Sequence, residues 1–156
     1  MGLAFRIFQI IITLTILILV IVNYYKKKNK ISGNSFIRNL KQKPSIQLLS
    51  YFKKSFKPLY LETNTTLIKE EIIKLKSQKI NAGKLNIIAE IEEVRIIGES
   101  VLIFITSESY GLIVLIDYNQ KEFFKESKGT VNDIDITRHI LQELVLKLKL
   151  NFRKST

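Results

Sequence analysis

The spacing of apolar and polar positions divides the chain into stretches of different period. From Ile7 to Tyr25 apolar residues dominate every turn and no side chain is charged. A helix of that length, rising about 1.5 Å per residue, spans roughly 30 Å, the thickness of a bilayer core. Its many β-branched residues do not argue for a strand, because lipid offers the backbone no water and a helix satisfies its amides within one segment. Tyr24 and Tyr25 fall where an interfacial aromatic belt lies. Val22-Asn23-Tyr24-Tyr25 has no small-residue cleavage site, and Arg6 stands where N-myristoylation requires Ser or Thr. The stretch is therefore expected to be an uncleaved transmembrane anchor, residues 1–25.

Apolar residues three and four apart come next. Ser32-Gly33-Asn34-Ser35 reads as a turn or short linker, with Ser35 capping a helix from Phe36 to about Gln42. After Pro44, Ser45 caps a second helix carrying Ile46, Leu48, Leu49, Phe52 and Phe56, which Pro58 ends. Thr65 or Thr66 opens a third, running to about Lys79 on the stripe Ile68, Ile72 and Leu75. Glu70 and Glu71 at its front and lysines behind suit the helix dipole, and Gly83 is its natural stop.

The period then falls to two. Leu85, Ile87, Ala89 and Ile91 share one strand face, and Ile88, Glu90 and Glu92 the other. The parity shifts afterwards, which predicts a bulge near Glu92–Glu93. Gly98-Glu99 turns the chain into Val101–Thr106. Ser107-Glu108-Ser109 separates that strand from Leu112–Ile116. Asn119-Gln120 precedes a short edge strand over Lys121–Phe124. Short connections make these strands antiparallel. Lys128-Gly129-Thr130 is a loop, and Asp133 or Asp135 caps a final helix striped by Ile136, Ile140, Leu144 and Leu148. Residues 151–156 are expected to fray.

The fold class is accordingly α+β: one N-terminal transmembrane helix, then helices packed on a small, mainly antiparallel sheet, with a C-terminal helix. Strands 101–105 and 112–116 are apolar on both sides, so both faces need a cover. Ile140, Leu144 and Leu148 are expected to cover one. The other helices offer limited apolar area, so part of the sheet or of the helical layer is expected to remain exposed and dock a partner.

Charge changes the picture more than composition does. The chain of 156 residues carries a formal net charge of +11, all of it in residues 1–61, where no acid opposes eleven basic side chains. The remaining 14 basic residues balance the 14 acidic ones. This separates a basic juxtamembrane helical segment, 26–61, from a small α+β domain, 62–156. Lys26, Lys27, Lys28 and Lys30 outweigh Arg6 across the span, so the positive-inside rule puts the C-terminal domain on the cytoplasmic side, or on the stromal or matrix side of an organelle. The Asn64-Thr65-Thr66 sequon matters only on the opposite side. The same lysines, with Lys53, Lys54 and Lys57 beside Phe52 and Phe56, form a candidate contact with anionic lipid. Nucleic-acid phosphates would be bound by the same groups through salt-sensitive contacts.

Candidate chemistry is sparse. With no Cys there is no disulfide, thiol or Cys-ligated metal. His139, the single histidine, lies four residues after Asp135, a spacing that suits a metal pair or an oriented base but equally an exposed helical turn. Glu90, Glu92 and Glu93 cluster on a strand, and Asp117 closes another. No phosphate loop, zinc motif, EF-hand or nucleophile elbow is present. No catalytic residue, metal ligand or cofactor is assigned. The expected function is a membrane-tethered accessory, scaffold or assembly subunit of a membrane protein complex, with lipid and other subunits as partners. The alternatives are a module recruiting nucleic acid or another polyanion to the membrane, and a membrane-bound enzyme with an unrecognised pocket, which a cluster of Asp117, Asp135 and His139 would favour. An anchor followed by helices and a curved antiparallel sheet resembles the general plan of some secretion-system and translocase accessory domains, an analogy of architecture that assigns no residue.

Overall fold

A computed structural model describes residues 2–82, 87–129 and 133–154, with the side chains of residues 26–32, 34 and 133 outside that description. The chain is α+β, as the periodicities predict. Its elements are α1 (Leu3–Lys41), α2 (Ser45–Ser55), β1 (Leu59–Tyr60), α3 (Lys69–Ile73), β2 (Lys79–Asn81), β3 (Ile88–Ile97), β4 (Ser100–Thr106), β5 (Gly111–Asp117), β6 (Glu122–Lys128) and α4 (Asp133–Leu148). The strands form one antiparallel sheet in the order β1-β6-β5-β4-β3-β2. The β3–β4 register shifts between Ile91 and Glu93, so Glu92 is the bulged residue and the predicted parity change is real.

Every residue from Val101 to Thr106 and from Gly111 to Asp117 is buried. Side-chain alternation sends Val101, Ile103, Ile105, Leu112, Val114 and Ile116 to one face, where Ile136, Ile140, Leu144 and Leu148 of α4 meet them together with Ile72 of α3. Leu102, Phe104, Ile113, Leu115 and Phe124 point the other way, onto Ile37 and Leu40 of α1 and Leu48 and Phe52 of α2. The central strands therefore have no exposed apolar remainder; the two basic helices cover what α4 does not. Fully burying a side chain such as Leu48 or Phe52 contributes about 1.5–3 kcal/mol each. That explains how a segment this rich in lysine stays docked: its few large apolar residues, Ile37, Leu40, Leu48 and Phe52, are all buried against the sheet.

Four local expectations are corrected. Ser32–Ser35 is no linker, because α1 runs unbroken from Leu3 to Lys41. The third helix shrinks to Lys69–Ile73, since Ser77 adopts a positive φ of 66°. Sheet pairing takes over there: the Ser77 amide donates to the Ile91 carbonyl at 2.8 Å and the Ile91 amide to the Gln78 carbonyl at 2.9 Å. The strand expected at Lys121–Phe124 extends to Lys128 and is not an edge, because β1 pairs outside it. Residues 151–153 do not fray: the Arg153 amide donates to the Tyr60 carbonyl at 2.9 Å, and Phe152 stacks edge-on against Phe123 at 5.2 Å. They cover an edge that would otherwise invite another strand. Asp133 opens α4 and Asp135 lies within it. The expected stop at Gly83 and the face position of Leu85 lie outside the described residues.

Candidate functional site: the junction of apolar helix and domain

Residues Leu3–Tyr25 of α1 have a mean hydropathy of 2.6, and none of the most apolar window is buried in the protein. Among the described residues this is the one helix long and apolar enough to cross a membrane. Thr13 and Thr15 return their hydroxyls to the carbonyls of Gln9 and Ile11, each at 2.8 Å, which removes two polar groups from the surface such a helix shows to lipid. Lys26, Lys27, Lys28 and Lys30 continue the same helix.

About two turns past Tyr25, α1 meets the sheet. Gly33 faces the β4–β5 connection so closely that a Cβ there would lie 2.9 Å from the Tyr110 amide nitrogen and 3.0 Å from the Ser109 carbonyl carbon and oxygen. Gly111 answers from β5: a Cβ on it would meet Ile37 Cγ1 at 2.5 Å and the Gly33 carbonyl oxygen at 2.9 Å. Two opposed glycines let helix and strand backbones touch, which no other pair of residues permits at this distance. Tyr110 is fully buried beside them and hydrogen-bonds through its hydroxyl to Thr137 of α4. The hairpin thus ties α1 on one face of the sheet to α4 on the other.

The C-terminus of α1 is held by charge. Its last carbonyls lack helical partners and carry the negative end of the helix dipole. Arg95 on β3 supplies the donors, Nη2 to the Lys41 carbonyl at 2.5 Å and Nη1 to that of Lys43 at 3.1 Å. Its Nε donates to Glu93 at 2.6 Å, and the guanidinium lies 4.9 Å from the centre of the Phe104 ring. Lys41 reaches back to Glu92 at 3.0 Å and Glu93 at 3.6 Å. The bulge allows this, because it brings both consecutive carboxylates within reach of one lysine. Burial raises the Glu93 carboxyl, but the hydrogen bond and charge of Arg95 and the charge of Lys41 outweigh it and hold the group below its ordinary range.

The lysines of α2, and Lys57 just beyond its end, have unequal roles. Lys53 pairs with the buried Asp117 at 2.5 Å, whose other oxygen accepts the Gln120 amide at 2.9 Å. Lys54 and Lys57 are exposed. Nearby, the Tyr51 hydroxyl donates to Glu126 at 3.0 Å; burial first, and then this carboxylate, raise the tyrosine above its usual range. Tyr118, on the α4 side, is pushed up to about 12 by burial and by the charge of Glu71.

Asp117 does not join Asp135 and His139. It faces α2 at one end of β5, about 20 Å along the strand from the Tyr110 end where α4 begins. The His139 ring instead contacts the Asp135 carbonyl oxygen at 2.8 Å, and the Asp135 carboxylate lies 3.7 Å from Arg138. Among the described residues no three His, Cys, Asp or Glu side chains come together as a metal cluster. Glu90 is exposed on β3, apart from the clamp made by Glu92 and Glu93.

The junction itself escaped the sequence reading. Gly33 stands four residues before Ile37 and seven before Leu40, on one helical face, and that spacing was the available signal against a linker. Arg95 follows Glu93 at strand spacing, but its helix partner lies more than fifty residues away in sequence. No known protein family matches the chain, and no curated protein or solved structure is similar to it.

Proposed function

We propose that this chain is a single-pass, membrane-tethered accessory or scaffold subunit of a membrane protein complex, with its α+β domain on the cytoplasmic, stromal or matrix side. One observation carries the reading: anchor and core share a helix. The first part of α1 is apolar and exposed, and its last turns are buried against the sheet and clamped by Arg95. A flexible tether would raise the local concentration of the domain. A continuous helix also restricts its height and orientation above the bilayer, which suits a subunit that presents a surface to neighbours in the same membrane. The basic cluster Lys26, Lys27, Lys28 and Lys30 supports the orientation, and contact with anionic lipid by these residues and the exposed Lys54 and Lys57 is part of the proposal.

The test is the state of membrane complexes in cells lacking the chain. Native electrophoresis of gently solubilised membranes is expected to show at least one complex lost or shifted, restored by the intact chain. Restoration should fail for a variant with about ten Gly and Ser residues inserted between Tyr25 and Lys26. Complexes unaltered by loss of the chain would overturn the scaffold reading. Protease applied to sealed vesicles tests the orientation, which fails if the domain is cut only from the face opposite the cytoplasm or its organellar equivalent.

A further inference from the structure

Inside the apolar span three of the four polar residues other than tyrosine share one face, with only Thr15 off it. Gln9, Thr13 and Asn23 fall on the spacing Gln9, Thr13, Ile16, Val20, Asn23, alternating four and three residues, which is the seam of a left-handed helix pair. The Thr13 hydroxyl is satisfied within the helix. The Gln9 and Asn23 carboxamides have no hydrogen-bond partner among the described residues. An unpaired amide in hydrocarbon is costly, and carboxamides in spans bond across to neighbouring helices. At about 100° per residue the stripe lies roughly 110° around the helix from the face that Gly33, Ile37 and Leu40 press on the sheet. The domain therefore does not stand over it.

We propose that this stripe is a transmembrane interface with a second copy of the same chain. The inference rests on α1 spanning the membrane as proposed above. Copies inserted with the same topology can pair only in parallel, so a two-fold contact sets Gln9 against Gln9 and Asn23 against Asn23. A carboxamide carries both donors and an acceptor and is complementary to itself. The two amides are fourteen residues apart, two full heptads, so one register satisfies both ends. A different partner would have to offer hydrogen-bonding groups opposite both amides at once. Arg6 lies in the first turn of the helix, where its long side chain reaches the headgroup layer and spreads away from its counterpart.

The full chain lacks cysteine, so single-cysteine variants report without background. Ile16→Cys and Val20→Cys lie on the stripe; Ile11→Cys and Ile18→Cys lie on the far side. Oxidation in native membranes is expected to give disulfide-linked dimers several-fold more readily for the first pair than for the second. Adding Gln9→Leu and Asn23→Leu to the Ile16→Cys chain is expected to reduce the dimer several-fold. Equal cross-linking on both sides, no dimer, bonds only to a different protein, or no effect of the two leucines would each overturn the proposal. Retention in the membrane after an alkaline wash separates the two readings. A chain that is retained but does not pair refutes the interface alone, and a chain that washes off refutes the span as well.

Discussion

Replacing Gly33 by alanine sets two effects of opposite sign against each other. In an exposed helix the change is favourable by about 1 kcal/mol, because glycine gives up more backbone freedom than alanine. Here the added Cβ would sit 2.9–3.0 Å from three backbone atoms of Ser109 and Tyr110. Those atoms cannot retreat as a side chain can. They belong to a hairpin closed by the Ser107 amide on the Tyr110 carbonyl at 2.9 Å and by the pairing of Thr106 with Gly111. The helix must move instead, by a few tenths of an ångström, and it takes Ile37 off Gly111 as it goes. Overpacking of this kind costs about 1–3 kcal/mol, and backbone neighbours put it in the upper part of that range. The net expectation is a loss of about 1–2 kcal/mol, a fall in Tm of roughly 3–8 °C for a domain of this size. Thermal unfolding of the full chain in detergent, followed by tyrosine near-ultraviolet dichroism, reads it, since Tyr110 is fully buried at the contact. A rise in Tm of a few degrees is what helix propensity alone produces. That result would show that α1 does not press on the sheet at Gly33, and the rigid junction would fall with it.

Leu144→Ala removes a fully buried side chain between α4 and the sheet and should cost about 2–5 kcal/mol, whereas Leu146→Ala, on the exposed side, should stay within about 0.5 kcal/mol; equal effects in denaturant titration would refute the assigned face. Glu93 has a depressed carboxyl pKa, so its contribution to stability is fully present above the ordinary value of 4.5 and is lost as pH falls through the lower folded value. Arg95→Met should destabilise the chain at neutral pH and flatten the acid limb of its stability profile; an unchanged limb would remove the clamp as its cause. Lys53→Met leaves Asp117 buried without its cation and should cost about 1 kcal/mol, less than a fully buried pair because the lysine is partly exposed, while Lys54→Met should cost nothing measurable. Replacement of Lys54 and Lys57 by Gln should weaken binding of a fragment lacking the apolar span, residues 31–156, to anionic liposomes, and unchanged binding would remove lipid contact as their role.

What could be read from the residues alone is what depends on near neighbours in sequence. The apolar run to Tyr25, the alternation along β4 and β5 and the three-and-four spacing of Ile136, Ile140, Leu144 and Leu148 each announce an element, because burial imposes its period on the segment that is buried. The bulge at Glu92 was legible for the same reason, as a change of parity within one strand. What covered the second face of the sheet was not. Ile37, Leu40, Leu48 and Phe52 are few among many lysines, and only their placement against Phe104, Ile113 and Leu115 makes them a core layer. Ser32-Gly33-Asn34-Ser35 has the composition of a turn, and local preference favours one there. The helix persists because contact with Gly111, far along the chain, is available only to a glycine in that conformation. The third helix was lost by the same kind of competition, when the Ser77 and Gln78 backbone groups found partners on β3 that a helix would have denied them. Arg95 illustrates the limit most directly. Its neighbours in sequence mark it as a strand residue beside an acid, and only the fold brings to it the open end of the helix that it holds.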